Sequence, residues 1–537
     1  MCATISPVQP RWTIVAVFLG SLVLLAWRAS APDIASAFVD PVARIQDQDE
    51  ALYGSISLHM AEAGDWATPM FLGRFELVKP PLLYWLEAAG MKLAGRGRAA
   101  MRAPSILAGA ATVALVFAWL AGEGAGWAAA VTGALLLLSS HLFFILSRVG
   151  LTDALLTLWT ALAMFALARD PALASPAALW TFGLASGAAI MTKGIAGLFP
   201  LLALAVFCVI SRRRPGWRRL LEAVAIAALA AAPWHLYAWW RHTRWFVAQY
   251  VMGEIVTNSL SAPTQSTQET HLAYYWTRLR LLDAPLALAG LVALALTLKR
   301  TTTRVLLAWI AVVVAAAMAF DYRNTSYLLP IFPALAILVG GALTKKLAPW
   351  VLCATVLLFA VKIAEPAETW GLPFTQEAPM PSASVLERYA ALDRGNDLIL
   401  GNPNDEFYSA CLDLPHVRYL YVDPNHPAEP APPSGSLNFD SLGVTVSASS
   451  FARSGELWPQ FAQRLRDWGL PHSDSIATVI VANNLDQVET LLRSHPQADF
   501  YLPADWAAHD GGVHGIADTV DGRELLLSRE KIQGLAK

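Results

Sequence analysis

Charge is what this sequence has least of. Among its 537 residues, 15% are Asp, Glu, Lys or Arg and 55% are hydrophobic, whereas about a quarter of an ordinary soluble domain is charged. With a mean hydropathy of +0.44, most of the chain calls for lipid as its solvent. Neither sign dominates: the net charge is −2, so the basic footprint that nucleic-acid binding needs is missing. Cysteine is scarce too. Cys2, Cys208, Cys353 and Cys411 are scattered, with no CxxC and no Cys/His cluster, which excludes a disulfide framework and a zinc site. No metal and no cofactor is expected. Cys411 has no second cysteine near it in the C-terminal region and is expected as a buried thiol.

What is abundant is apolar runs. A membrane-spanning helix needs about 17–25 mostly apolar residues, and about eleven segments approach this: 12–27, 102–121, 126–146, 150–168, 176–192, 195–210, 219–240, 281–298, 305–320, 327–343 and 347–363. The first follows Arg11 and lacks a clean small-residue cleavage site, so it reads as a retained span rather than a signal peptide. Lysine and arginine concentrate in SRRRPGWRR (211–219), KRTTTR (299–304) and Lys345-Lys346. Cytoplasmic loops carry such an excess, and placing all three inside makes the alternation of spans consistent from end to end. Residues 28–100, Arg148–Asp153, Lys193, 241–280, 321–326 and everything after 363 are then outside. The expectation is a mostly α, polytopic membrane bundle over 1–363 and an extracytoplasmic α/β domain over 364–537. The C-terminal region alternates Pro-rich stretches with strand-like runs at 397–401, 417–422, 443–449 and 477–483 and helical spacing at 384–392 and 486–494.

The stretch 47–87, DQDEALYGSISLHMAEAGDWATPMFLGRFELVKPPLLYWLE, is the most polar in the first two thirds. Asp49 and Glu50 at its front fit either a solvated helix start, where the dipole favours acids, or a general base acting on an acceptor hydroxyl. Lys79 before Pro80-Pro81 fits either an interfacial lysine snorkelling among aromatics or a fixed cation for a phosphate at headgroup level. Asp153, near the outer end of a span, has Thr152 to cap and Arg148 to pair with it, or else a role in the reaction. Lys193 sits at a Lys-Gly break, as a turn or as a second phosphate contact. His235, Trp239, Trp240 and Trp245 read as interfacial anchors, and Glu254 comes next in a polar loop. Arg323 and Tyr327 open a later span, where Arg323 could take a phosphate bidentately. Every one of these polar outliers falls on the outer side, where no nucleotide is at hand.

In their order, DEALY (49–53), GDWATPMFLGRFELVKPPLLYW (64–85), RAPS (102–105), SRVGLTDALL (147–156), TKGIAGLFP (192–200), APWHLYAW (232–239) and YLLPIFPALAIL (327–338) resemble the GT-C glycosyltransferases of the aminoarabinose-transferase and protein O-mannosyltransferase superfamily. The resemblance covers about residues 11–345, and GDW…KPPLLYW is its specific portion. It implies inverting transfer of a sugar from a polyprenyl-phosphate (undecaprenyl-phosphate) donor to lipid A, a cell-surface glycan or a protein, in the bacterial inner membrane. It further implies Asp49, with Glu50 beside it and Asp153 in support, as catalytic residues. Lys79, Lys193, Arg323 and Tyr327 would bind the donor phosphate, and Tyr53, Tyr84 and Glu254 would bind substrate. Partners would be the lipid-linked donor, the acceptor and membrane lipid, with the chain a monomer. Aminoarabinose transferases carry arginines where this chain has Leu52 and Asn258, so either Arg323 substitutes or donor and acceptor differ. A transporter or flippase of a lipid-linked substrate is the competing class, although such proteins gather ionisable groups at the bilayer midplane within repeats. An assembly protein working through its external domain is a third.

Overall fold

The computed structural model describes residues 11–27, 29, 41–71, 74–260, 270–279, 283–320, 323–364, 398–400, 419–421, 499–503, 518–520 and 524–527. It divides into two compact units. One comprises Met1–Ala43, Asp65–Ala67 and Leu77–Thr375; the other comprises Arg44–Gly64, Thr68–Glu76 and Gln376–Lys537. The polar segment after the first span is therefore split, and most of it groups with the C-terminal residues rather than with the helices adjacent to it in sequence.

The first unit is a helical bundle. Its elements are α1 (Arg11–Ala26), α3 (Leu82–Ala94), α4 (Arg98–Gly122), α5 (Trp127–Ser139), α6 (His141–Leu146), α7 (Thr152–Arg169) and α8 (Pro176–Lys193). Beyond these come α9 (Phe199–Ile210), α10 (Trp217–Trp245), α11 (His271–Leu279), α12 (Asp283–Thr297), α13 (Thr301–Ala319), α14 (Phe332–Ala342) and α15 (Ala348–Ala364). Among the described residues six stretches are long and apolar enough to cross a membrane, and α1, α5, α12 and a portion of α15 are shorter apolar helices. Each of the eleven expected spans coincides with one of these or with a portion of one. The chain is a multi-pass membrane protein. Small residues bring the helices close, as lipid-embedded packing requires: a Cβ on Gly187 would stand 2.5 Å from Ala230 Cβ, so α8 and α10 meet backbone to backbone there.

Three expectations change in detail. The span 126–146 is broken at Ser140, whose hydroxyl accepts from Phe143 N–H, while the Asp283 carboxylate accepts from Ser140 Oγ and from the N–H groups of His141 and Leu142. These side chains offer the backbone an alternative to continuing the helix. The described residues of 241–280 are largely helical rather than a loop: a π-helix, Phe246–Leu260, continues from α10, and α11 comes after it. Arg148 does not pair with Asp153; its guanidinium donates to Leu25 O and Trp27 O at the end of α1.

Contacts at the helix termini give the bundle two distinct ends. Arg219 donates to Ala174 O, Thr302 to Glu123 and Arg300 to Gly341 O, while Gly122 abuts Arg169. The loops 211–219 and 299–304 and the Lys345-Lys346 pair thus lie at one end. Helix α7, about 27 Å long at 1.5 Å per residue, leads from there to Asp153 at the other. At that far end Ser105 donates to Leu151 O and His271 contacts Phe320 O.

In the second unit, α2 (Pro41–Ala63) precedes an antiparallel pair, β1 (Met70–Phe71) and β2 (Arg74–Phe75), with Met70 opposite Phe75. A five-stranded sheet is formed by β3 (Leu398–Leu400), β4 (Tyr419–Tyr421), β5 (Asp499–Pro503), β6 (Asp518–Val520) and β7 (Glu524–Leu527), in the order β4-β3-β5-β7-β6. Strand β3 is parallel to β4 and β5, and β7 is antiparallel to β5 and β6. Two expected strands fall at β3 and β4. The runs 443–449 and 477–483, the helices 384–392 and 486–494, and Cys411 lie outside the described residues. Strands β6 and β7 carry a missed sequence signal, the Asp-Gly dipeptide between them, which is a hairpin cue.

Candidate functional site

At the end of the bundle away from the basic loops, four segments distant in sequence enclose a cleft of about 540 Å³. Its polar wall holds Asp153, Lys193, Glu254 and Tyr327, and Leu156, Phe199, Val313 and Phe320 supply much of an apolar one. Four residues singled out in the sequence, on α7, α8, the π-helix and the 3-10 turn Thr325–Ile331, come together here.

Helix ends set the charges. Asp153 is in the first turn of α7 and Lys193 in the last turn of α8, where the helix dipoles favour an anion and a cation respectively. Lys193 Nζ donates to Asp153 Oδ1 at 2.7 Å, with side-chain exposures of 12% and 7%. It also stands 5.2 Å from the centroid of the Tyr327 ring, a cation–π contact. Two glycines just beyond Lys193 fix its position. Gly194 adopts φ +48°, and a Cβ there would lie 2.8 Å from Tyr250 Oη. A Cβ on Gly197 would strike the Ala189 backbone at 2.3 Å, so the chain doubles back onto α8 with no room for a side chain.

The second cation is beside the cleft. Lys79 donates directly to the Glu254 carboxylate. Its segment is held by Leu77 N–H, which donates to Gln249 Oε1 at 2.7 Å, one turn before Glu254. The indole N–H of Trp234 reaches Ala67 O at 3.0 Å, tying GDWA to α10. His235 Nε2 lies 3.0 Å from Tyr250 Oη, so His235 supports the π-helix, while Trp239 and Trp240 are exposed. Gln249 and Tyr250 were missed as site residues; their signal is the spacing to Glu254 in QYVMGE, which puts all three on one helical segment.

The other expected site residues are placed differently. Arg323 lies with its guanidinium 6.0 Å from the Tyr274 ring and does not line the cleft wall. Tyr84 is 1% exposed. Asp49, Glu50 and Tyr53 belong to the second unit, on α2; Asp49 is exposed, and Glu50 and Tyr53 are buried.

Two ammonium groups, each against a carboxylate, thus border a cleft whose remaining wall is apolar. Such a wall suits a molecule with an anionic head and a hydrocarbon tail. A double-mutant cycle will measure how tightly the first pair is coupled. Asp153→Ala alone leaves an uncompensated buried lysine and is expected to cost about 3 kcal/mol, whereas Asp153→Ala with Lys193→Met recovers more than half of that in detergent unfolding. Additive losses would show that the two side chains act independently.

The model of the family described as dolichyl-phosphate-mannose-protein mannosyltransferase matches residues 45–246. An undecaprenyl phosphate-alpha-4-amino-4-deoxy-L-arabinose arabinosyl transferase of Edwardsiella ictaluri is 34% identical over 213 residues, covering 37% of this chain and 38% of that one. A Pseudomonas aeruginosa protein of the same description is 31% identical over 320 residues, 56% of each chain. The crystal structure of ArnT from Cupriavidus metallidurans bound to undecaprenyl phosphate shares the fold, with a TM-score of 0.65 at 18% identity over 97% of this chain and 98% of that one. Over residues 45–246 the chain is thus similar to that family, and it shares its fold with the Cupriavidus structure. It aligns with 38% of the Edwardsiella relative and 56% of the Pseudomonas one. The family match at 45–246 takes in Asp49, Lys79, Asp153 and Lys193; Glu254 and Tyr327 lie beyond it, and the fold brings them to Asp153 and Lys193.

Proposed function

We propose that this chain transfers a sugar from a polyprenyl-phosphate donor, of the undecaprenyl type, to an acceptor outside the cytoplasm, with inversion at the anomeric carbon. The observation that carries the reading is the cleft with paired Lys193 and Asp153, half charged and half apolar, at the end of the bundle opposite all three basic loops. By the excess of lysine and arginine in cytoplasmic loops, that end faces the periplasm of a bacterial inner membrane, where no nucleotide sugar is at hand. A donor carried in the lipid meets both walls of the cleft. The activities by which the relatives are named use an undecaprenyl-phosphate sugar and support the same donor class.

In this mechanism the acceptor hydroxyl attacks the anomeric carbon from the face opposite the phosphate, and the carbon–oxygen bond to phosphate breaks. Its electron pair stays on the departing phosphate. Asp49 takes the hydroxyl proton, with Glu50 beside it. Lys79 and Lys193 neutralise the phosphate, with Arg323 as a further cation at the same end, while Asp153, Glu254 and Tyr327 hold the lysines in position. Tyr53 contacts the substrate. The acceptor is a hydroxyl of lipid A, of a surface glycan or of a protein, and the working unit is the single chain.

The test uses the full chain in proteoliposomes with a labelled polyprenyl-phosphate sugar and extracted envelope lipid as acceptor. Label is expected to move to the acceptor with one polyprenyl phosphate released per sugar. Movement of intact donor between leaflets without transfer would replace this reading by a flippase.

A further inference from the structure

A second cavity opens at the other end of the bundle, among the ends of α4, α12, α13 and α14. It is an open cleft of about 340 Å³, counting the space open to solvent at its mouth, and is lined by Glu123, Arg300, Thr302, Trp119, Leu306 and Ile337, among others. None of these residues contributes to the chemistry proposed above, which sits a full helix length away.

The polar groups are arranged as a pair of opposite charges. Arg300 caps α13 without a side-chain cap bond, so the first N–H groups of that 19-residue helix point toward its position, where an anion is favoured. Its guanidinium is fixed by donation to Gly341 O at 2.9 Å. Glu123 lines the same cavity and is oriented by Thr302 Oγ, which donates to its Oε1 at 3.0 Å. On the wall, Trp119 is 1% exposed and its indole N–H is buried with no acceptor among the described residues. A buried donor of that kind ordinarily has a partner. Much of the remaining lining is apolar, and Leu296 and Leu298, on either side of the lining residue Thr297 in the chain, are 76% and 45% exposed, as side chains facing acyl chains would be.

We infer that this cavity binds the headgroup of a zwitterionic phospholipid bearing a primary amine, with its phosphate on Arg300 and the first turn of α13 and its ammonium on Glu123. An anionic lipid without an amine meets the repulsion of the Glu123 carboxylate. A quaternary ammonium has no N–H to give that carboxylate. The acyl chains leave along the exposed leucines, which a soluble phosphate ester could not use. The inference requires only that this end of the bundle meet a leaflet, and it stands apart from the transfer reaction.

Native mass spectrometry of the full chain in detergent, with equimolar phosphatidylethanolamine, phosphatidylcholine and phosphatidylglycerol of equal chain length, reads the outcome. The wild-type protein is expected to retain phosphatidylethanolamine over phosphatidylcholine by about tenfold, the equivalent of one charge-assisted hydrogen bond. Glu123→Gln, which keeps the acceptor for Thr302, should bring that ratio close to one while phospholipid is still retained. Arg300→Gln should lower both adducts together by about tenfold. Because that variant also loses the bond to Gly341, Glu123→Gln carries the test if it does not fold. Soluble phosphoethanolamine at the same concentration should leave the lipid adduct in place. A wild-type protein that does not discriminate between headgroups overturns the inference. So does a preference that survives Glu123→Gln, or displacement by the soluble ester.

Discussion

Replacing Lys79 with methionine is expected to lower the rate of sugar transfer by about 10²–10³-fold, the loss typical when one preorganised charge is removed from a developing anion. The side chain is already held against Glu254 at the edge of the cleft, so little reorganisation is left for the moment of bond breaking. The same variant leaves Glu254 without its cation, so stability falls as well, and the two effects must be separated. Pairing Lys79→Met with Glu254→Gln removes both charges and is expected to restore most of the lost unfolding midpoint but none of the lost turnover. If the double variant regains transfer, Lys79 serves only to neutralise Glu254, and the phosphate is held by other groups.

Asp49→Asn carries the other large effect. A general base contributes about 10²–10⁴-fold, and an amide of the same shape cannot accept the proton. The drop is expected in turnover, with donor binding preserved. Asp49 is exposed, so the unfolding midpoint should change little. Glu50→Gln, one residue away and buried, is the comparison: it should disturb folding before it disturbs chemistry. Full transfer by Asp49→Asn would move the base elsewhere, with Asp153 at the cleft as the next group to test. Loss of donor binding would instead place Asp49 in the binding site.

The apolar runs were legible because hydropathy is a local property. Any run long enough to span hydrocarbon has to be buried in it, whatever its neighbours do. Where side chains competed for the backbone the reading was less exact: Ser140 and Asp283 split one expected span, although they are 143 residues apart. Glu254 looked like a loop residue because QYVMGE is polar by the standard of this chain, yet it is helical. Toward the C-terminus the short strands β3 and β4 were found, and β5, β6 and β7 were missed. Runs of three to five residues leave little periodicity to read.

By itself the sequence determined that the chain is a membrane bundle, which segments enter lipid, and that its basic loops share a side. Those outcomes rest on solvation and on charge counted along the chain. Only the tertiary structure decided the partners: that Lys193 meets Asp153 across 40 residues and Lys79 meets Glu254 across 175. It also decided that Asp49 groups with the second unit and the two lysines with the first. Such pairings depend on which helix ends arrive at the same depth and on how closely glycine-lined faces such as that of α8 let the helices approach. Neither is a property of any stretch of sequence taken alone.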